Sequence, residues 1–215
     1  MKLLSVNVSL PRDVPHMGKT VRTGIFKEPV NRRIMLRTLN LEGDGQADRE
    51  NHGGMYKAVY AYSIEHYEYW KRELGRGDFT PGQFGENFTV QGMAEDDVHI
   101  GDVFRVGGAL VQVTQPRAPC YKLGLKMEMP EFPKLFLSSG RVGFYLRVLG
   151  EGEVGAGDPI ERVGADPEGM TVSEMNRLLY VKPADREALE RALRIEALSP
   201  RRRRAFEERL ARDCR

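Results

Sequence analysis

Cysteine is nearly absent from the 215 residues: only Cys120 and Cys214 occur. That excludes a disulfide scaffold, which a small secreted chain builds from more cysteines. Cys214 stands one residue from the end, where chains fray, so Cys120 is the single interior thiol. Long apolar runs are missing as well. No segment approaches the ~20 apolar residues of a membrane span, and the Met1–Val6 stretch is too short for the apolar part of a secretory signal. Neither sign of charge dominates: 33 Lys+Arg against 31 Asp+Glu leave +2, without the basic surplus of a dedicated nucleic-acid binder. Four histidines, at 16, 52, 66 and 99, make no zinc spacing. A Walker A loop, a G-x-G-x-x-G turn after a strand, C-x-x-C and H-E-x-x-H are all lacking. What remains, with 40% apolar and 30% charged residues, is a soluble, cytoplasmic chain with neither membrane nor nucleic acid as a partner.

Its length predicts one domain, or one plus a small appendage. Two compositions meet near Val163. Most glycines fall before it, among period-2 segments at Lys2–Val8, Thr20–Phe26, Ile34–Leu39, Lys57–Tyr62, Asn87–Val90, Val103–Val106, Ala109–Thr114 and Gly143–Leu149. Gly107-Gly108 marks a hairpin, and so many short strands predict a barrel or folded-over sheet. Ile64, Tyr67, Trp70 and Leu74 repeat at helical spacing behind Ser63 as N-cap, and Pro130–Ser138 reads as a shorter helix. After the polar join at 163–169 the pattern becomes helical. Thr171 and Glu174 form a capping box over Val172–Leu179. A second helix runs from near Pro183 to about Leu193, and Ser199-Pro200 opens a third. None of the three is stable alone, so they pack together or on something. The Arg201–Arg204 run reads as a solvated helix face.

The segment with most chemical content is Gln115-Pro116-Arg117-Ala118-Pro119-Cys120-Tyr121-Lys122-Leu123. Two prolines stiffen it, and Arg117 and Lys122 flank a thiol whose ionised form binds metal or attacks. Read from residues alone, Cys120 is either such a thiolate or a buried structural cysteine. Gly43-Asp44-Gly45 through His52-Gly53-Gly54, with Lys57 following, is either an anion cradle built from backbone N–H groups or an ordinary surface loop. Phe84-Gly85-Glu86-Asn87-Phe88 either presents an amide to a pocket or makes a tight turn into a strand. Lys27 and Arg37 are candidate anion contacts or exposed cations. A Cys120–His52 nucleophile pair stays open.

Taken in order, Leu41–Asp48, His52-Gly53-Gly54, Lys57-Ala58-Val59, Glu65-His66-Tyr67, Phe84–Asn87, Gly101-Asp102 and Gln115–Leu123 resemble the MOSC-domain proteins of the bacterial YiiM type. The resemblance spans essentially the whole chain. It implies a mainly β (α+β) fold: a barrel-like MOSC core over residues 1–163 with a three-helix extension over 164–215. It implies a molybdenum cofactor of the Mo-molybdopterin kind, with Cys120 as thiolate ligand to the metal and His52-Gly53-Gly54 in the pterin phosphate pocket. Lys27, Arg37, Asp48, Lys57, Asn87, Arg117 and Lys122 join the site by lying in or beside these blocks. Met55-Tyr56 departs from the family, whose members carry Pro-Asp after the glycines, and alters the turn there. The implied chemistry is reduction of N-hydroxylated compounds such as hydroxylaminopurine base analogues, with electrons from a separate reductase. The alternatives are a cofactor or sulfur carrier without turnover, and a thiol hydrolase. The tail then docks the redox partner, covers an apolar face, or joins a homodimer.

Overall fold

The computed structural model describes residues 1–47, 53–180 and 185–212. The strands are β1 (Lys2–Val8), β2 (Arg12–His16), β3 (Lys19–Thr23), β4 (Glu28–Pro29), β5 (Ile34–Leu36) and β6 (Val59–Ser63). They continue as β7 (Phe88–Gln91), β8 (Val103–Val106), β9 (Ala109–Pro116), β10 (Phe144–Gly150), β11 (Gly152–Val154) and β12 (Ile160–Gly164). The helices are α1 (Glu65–Leu74), α2 (Tyr121–Met127), α3 (Phe132–Ser138), α4 (Val172–Tyr180), α5 (Arg186–Arg194) and α6 (Pro200–Arg212).

Eight strands form one sheet in the order β12-β8-β9-β10-β6-β7-β1-β4. Neighbours are antiparallel except β6 and β7. That parallel pair needs a crossover, and α1 lies within it. The expected barrel does not close. The sheet curls until Lys2 bridges Pro159 and the Leu3 N–H reaches the Asp158 carbonyl at 2.9 Å, but no ladder follows. The contact is completed by Ile160 N–H to the Met1 carbonyl at 3.0 Å and Gly157 N–H to the Leu3 carbonyl at 2.7 Å, and β1 is bulged between Leu3 and Ser5 in its pairing with β7.

Two apolar cores flank the sheet, and β6 faces both. Its period-2 alternation sends Val59 and Ala61 into the larger core and Tyr60 and Tyr62 into an aromatic one with Trp70, Phe84, Phe132 and Phe136. The larger core continues without a break into the tail. Met175, Leu189, Ile195, Leu198 and Phe206 belong to the same cluster as Val111 and Val113 of β9.

The β8–β9 hairpin stands on Gly107-Gly108 as expected. The β2–β3 hairpin turns on Met17-Gly18, both at positive φ (49° and 74°), the geometry that two-residue hairpins favour; a Met there gave no signal. The capping box is present: Thr171 N–H donates to Glu174 at 2.9 Å and Glu174 N–H to Thr171 Oγ1 at 3.0 Å. Ser63 does not cap α1. It ends β6, and its hydroxyl donates to the Glu65 carboxylate instead. Pro183 lies outside the described residues, and Asp185 caps α5 by accepting from Ala188 N–H at 3.2 Å.

The continuous core makes the tail part of one folding unit. Phe206, 1% exposed, is the aromatic anchor of α6. Phe206→Ala is expected to lower stability by ~3–5 kcal/mol and to shift the denaturation midpoint read from Trp70, the sole tryptophan, in the aromatic core. A Trp70 transition that stays in place would mean that the tail unfolds on its own.

Candidate functional site

Six stretches converge at the end of β9. They are residues 23–27 after β3, 44–47 after β5, the start of β6, Gly85–Asn87 before β7, Arg117–Lys122 after β9, and Tyr145 on β10. They enclose a cavity of about 110 Å³. Glycines permit the close approach. A Cβ on Gly85 (φ 83°) would meet Ile25 Cγ1 at 2.8 Å, and one on Gly24 would meet the Gly45 carbonyl at 2.7 Å.

Two buried carboxylates hold these loops. Glu86, fully buried, accepts from the Gly82 and Phe84 N–H groups at 2.8 and 3.0 Å and from Thr89 Oγ1 at 2.9 Å. Tyr67 donates to it as well. Asp44 accepts from Ser9 N–H at 2.8 Å, from Asn87 Nδ2 at 3.0 Å and from Lys27. Asn87 lines the cavity, but its amide is engaged: Nδ2 donates to Asn7 and Asp44, and Oδ1 accepts from Tyr60 N–H at 3.2 Å. It brackets the loops together.

Charge in the cavity is lopsided. Lys27, Lys57, Arg117 and Lys122 line it, against the single carboxylate of Asp44 among the described residues. Burial pushes the Lys27 ammonium below the usual lysine range, with Asp44 opposing the shift. Behind it Lys126 donates to the Ile25 carbonyl at 3.2 Å and to Gly82 O, and burial lowers its pKa to about 8.

Arg117 is 5% exposed. Its guanidinium lies over the rings of Tyr60 (4.9 Å) and Phe136 (5.4 Å), and Nη1 is buried with no hydrogen-bond partner among the described residues. Among the described residues it forms no ion pair. Burial opposes its charge, yet the phenols of Tyr60 and Tyr145 and the thiol of Cys120 hold its pKa above the usual value. Burial likewise raises the Tyr145 phenol, Arg117 opposing and Cys120 adding to the rise. A buried charge without a counter-ion is costly unless an anion meets it. Arg117 is thus suited to an anionic ligand.

Cys120 stands at the head of α2, half-buried. It lines the first cavity and also a second one of about 400 Å³, which takes in Gly53, Gly54, Tyr56 and Lys57 together with Ser199–Arg202 of the tail. The structure thereby gathers Lys27, Lys57, Asn87, Arg117, Cys120 and Lys122 in one cavity and places Gly53 and Gly54 in its neighbour. Arg37 lines neither. It is exposed, with Nη1 3.3 Å from Glu151, because the alternation of β5 buries Ile34 and Leu36. Asp48 and His52 lie outside the described residues. No histidine among the described residues lines either cavity. The Arg201–Arg204 run is not a uniform solvated face: Arg201 and Arg202 line the second cavity, and Arg203 donates to the carbonyls of Leu193 and Ile195. Sequence reading missed Tyr60 and Tyr145 as lining groups; Tyr145 stands opposite Gln115 in register, a pairing that exists only once the sheet forms. A larger cavity of about 450 Å³ lies between α4 and α5, away from the thiol, with Arg191 paired to Glu174 at 2.8 Å.

The sequence model of the MOSC domain matches residues 48–161, and that of the "YiiM-like, 3-alpha helix domain" matches residues 170–213. The chain is 44% identical over 204 residues to the uncharacterized protein YflK of Bacillus subtilis, covering 95% of this chain and 92% of YflK. The solved structure of YiiM from Geobacillus stearothermophilus superposes with a TM-score of 0.82 at 35% identity, covering 97% and 98% of the two chains. A protein of Gibberella moniliformis named "Reductase" is 31% identical over 169 residues, 77% of this chain but 30% of that protein. Among the described residues no helix is long and apolar enough to cross a membrane.

An uncompensated buried guanidinium has a measurable signature. Arg117→Met removes the charge but keeps much of the packing volume. The ligand-free variant is expected to be at least as stable as the parent, by up to about 1–3 kcal/mol in chemical denaturation. A loss of that size would show that Arg117 is compensated within the protein.

Proposed function

The chain belongs to the MOSC-domain family and carries the YiiM-like three-helix domain, and on that premise we propose that it is a molybdenum-cofactor-dependent reductase of N-hydroxylated compounds. MOSC domains are associated with molybdenum-cofactor binding in general. The observation that carries the reading for this chain is a half-buried thiol on the wall of a cation-lined cavity, with the unpartnered Nη1 of Arg117 in the same wall.

The donor set fits such a group. Thiolate is a soft ligand suited to transition metals, and Cys120 is the cysteine among the described residues. A cofactor that brings its own sulfurs to the metal would need a single protein ligand, the role Cys120 would fill. Arg117, Lys57 and Lys122 would meet the phosphate. Lys27 tunes the wall through Asp44. When bound, the cofactor supplies a metal that changes oxidation state and can take oxygen from an N–O bond.

The chain's own groups do the rest. The arginine and lysines bind and orient. The phenol of Tyr145, kept protonated by burial, stands on the wall shared by both cavities. The net reaction is R–NHOH + 2e⁻ + 2H⁺ → R–NH₂ + H₂O, the N–O bond breaking and the oxygen leaving as water. The electrons come from a separate reductase, and the fungal relative's name is in keeping with reductive chemistry.

Protein from a host that makes the cofactor, given a reductant, should convert an N-hydroxylated purine base to the amine. Arg117→Met should retain about tenfold to a hundredfold less pterin, the consequence of losing a charged hydrogen bond. Metal and pterin present without turnover of any N-hydroxylated base would point to the carrier instead.

A further inference from the structure

The second cavity has a wall that the proposed chemistry does not use. Besides Cys120 and Tyr145 it is lined by Ser199, Arg201 and Arg202, where the tail folds back onto the sheet. Its cations are Lys57, Arg201 and Arg202, and no carboxylate lines it among the described residues. Neither Arg201 nor Arg202 forms an ion pair among the described residues, whereas three other arginines of the tail do: Arg186 meets Glu190 at 3.0 Å, Arg191 meets Glu174 at 2.8 Å and Arg194 meets Glu168 at 2.7 Å.

The remaining lining is of a different kind. Tyr56 and Tyr145 offer rings, and Gln115 offers an amide. Aromatic faces take a nucleobase by stacking, an amide can pair with its edge, and guanidinium forks match phosphate oxygens. At about 400 Å³ the space falls within the ~300–1,000 Å³ of small-molecule sites.

We infer that the second cavity takes the substrate as a purine nucleoside phosphate, with Arg201 and Arg202 holding the phosphate and the base placed beside Cys120. The three-helix tail thereby builds the substrate's phosphate subsite. The inference rests on the reductase reading above and extends it from the free base to the nucleotide, the N–O bond being reduced with the same balance of electrons and protons.

The first measurement needs no turnover. Adenosine 5′-monophosphate and adenosine are titrated by calorimetry into the full chain, with and without cofactor, and into the Arg201→Ala/Arg202→Ala and Arg201→Lys/Arg202→Lys variants. The monophosphate is expected to bind about tenfold or more tighter than the nucleoside. The alanine pair should erase that preference, and the lysine pair should keep part of it, as a point charge still attracts phosphate. Equal affinities in the parent chain, or a preference that survives the alanine pair, overturn the inference. Nucleotide binding that vanishes once cofactor is loaded also overturns it, and assigns the cavity to a nucleotide portion of the cofactor.

The second measurement compares kcat/KM for the N-hydroxylated purine base and its ribonucleoside 5′-monophosphate. A preference of about tenfold for the monophosphate, collapsing in the alanine pair, is the expected result. Equal turnover of the two overturns the substrate assignment while leaving the reductase reading intact. No turnover of either, with nucleotide binding as expected, sinks the reductase reading but not the phosphate subsite.

Discussion

A guanidinium buried at the end of β9, with no carboxylate to meet it among the described residues, sets the terms for the site. Arg117 is stacked between Tyr60 and Phe136, and one of its nitrogens has no partner. A protein optimised only for stability would not keep such a charge, since desolvation is repaid only by good pairing. Its retention is reasonable if the pairing arrives with a ligand. Cys120, three residues on, and the phenols of Tyr60 and Tyr145 are what the charge faces meanwhile.

Holding that charge requires rigid surroundings, and two acids provide them. Glu86 gathers the Gly82–Phe84 backbone with Tyr67 and Thr89, and Asp44 ties Ser9, Lys27 and Asn87 together. Neither carboxylate is left to offset Arg117, so the cavity keeps its positive sign. The sheet supplies the frame, because β6 presents Val59 and Ala61 to one core and Tyr60 and Tyr62 to the other. The tail extends the larger core and brings its own arginines to the opening beside Cys120.

Much of this was legible in the sequence where a single local rule decides. Alternation located β1, β8, β9 and β10, helical spacing located α1, and the Thr171–Glu174 box marked the start of α4. The stiff Pro116–Pro119 loop pointed to Cys120 and Arg117 together. Other features depend on tertiary partners. β12 and β11 are short, mostly polar strands that exist because β8 and β5 offer free edges. The helix after Cys120 follows two prolines and contains Gly124, so its pattern was weak. Asn87 lines the cavity, but only the hydrogen-bond network shows that its amide is already engaged. Arg37 followed a family-like block, yet a short strand and Glu151 carry it elsewhere. Arg201 is exposed and Arg202 half-buried, and nothing in a run of four arginines says which of them will line the cavity that Cys120 also lines.

The central claim is that Cys120 holds a molybdenum centre in a cavity made cationic by Arg117. It is tested most directly by molybdenum content, measured by mass spectrometry on protein from a cofactor-competent, molybdate-fed host, with Cys120→Ala prepared beside it. The account predicts close to one metal per chain in the parent and little in the variant. A parent chain without molybdenum, or a variant that keeps it in full, would contradict the account.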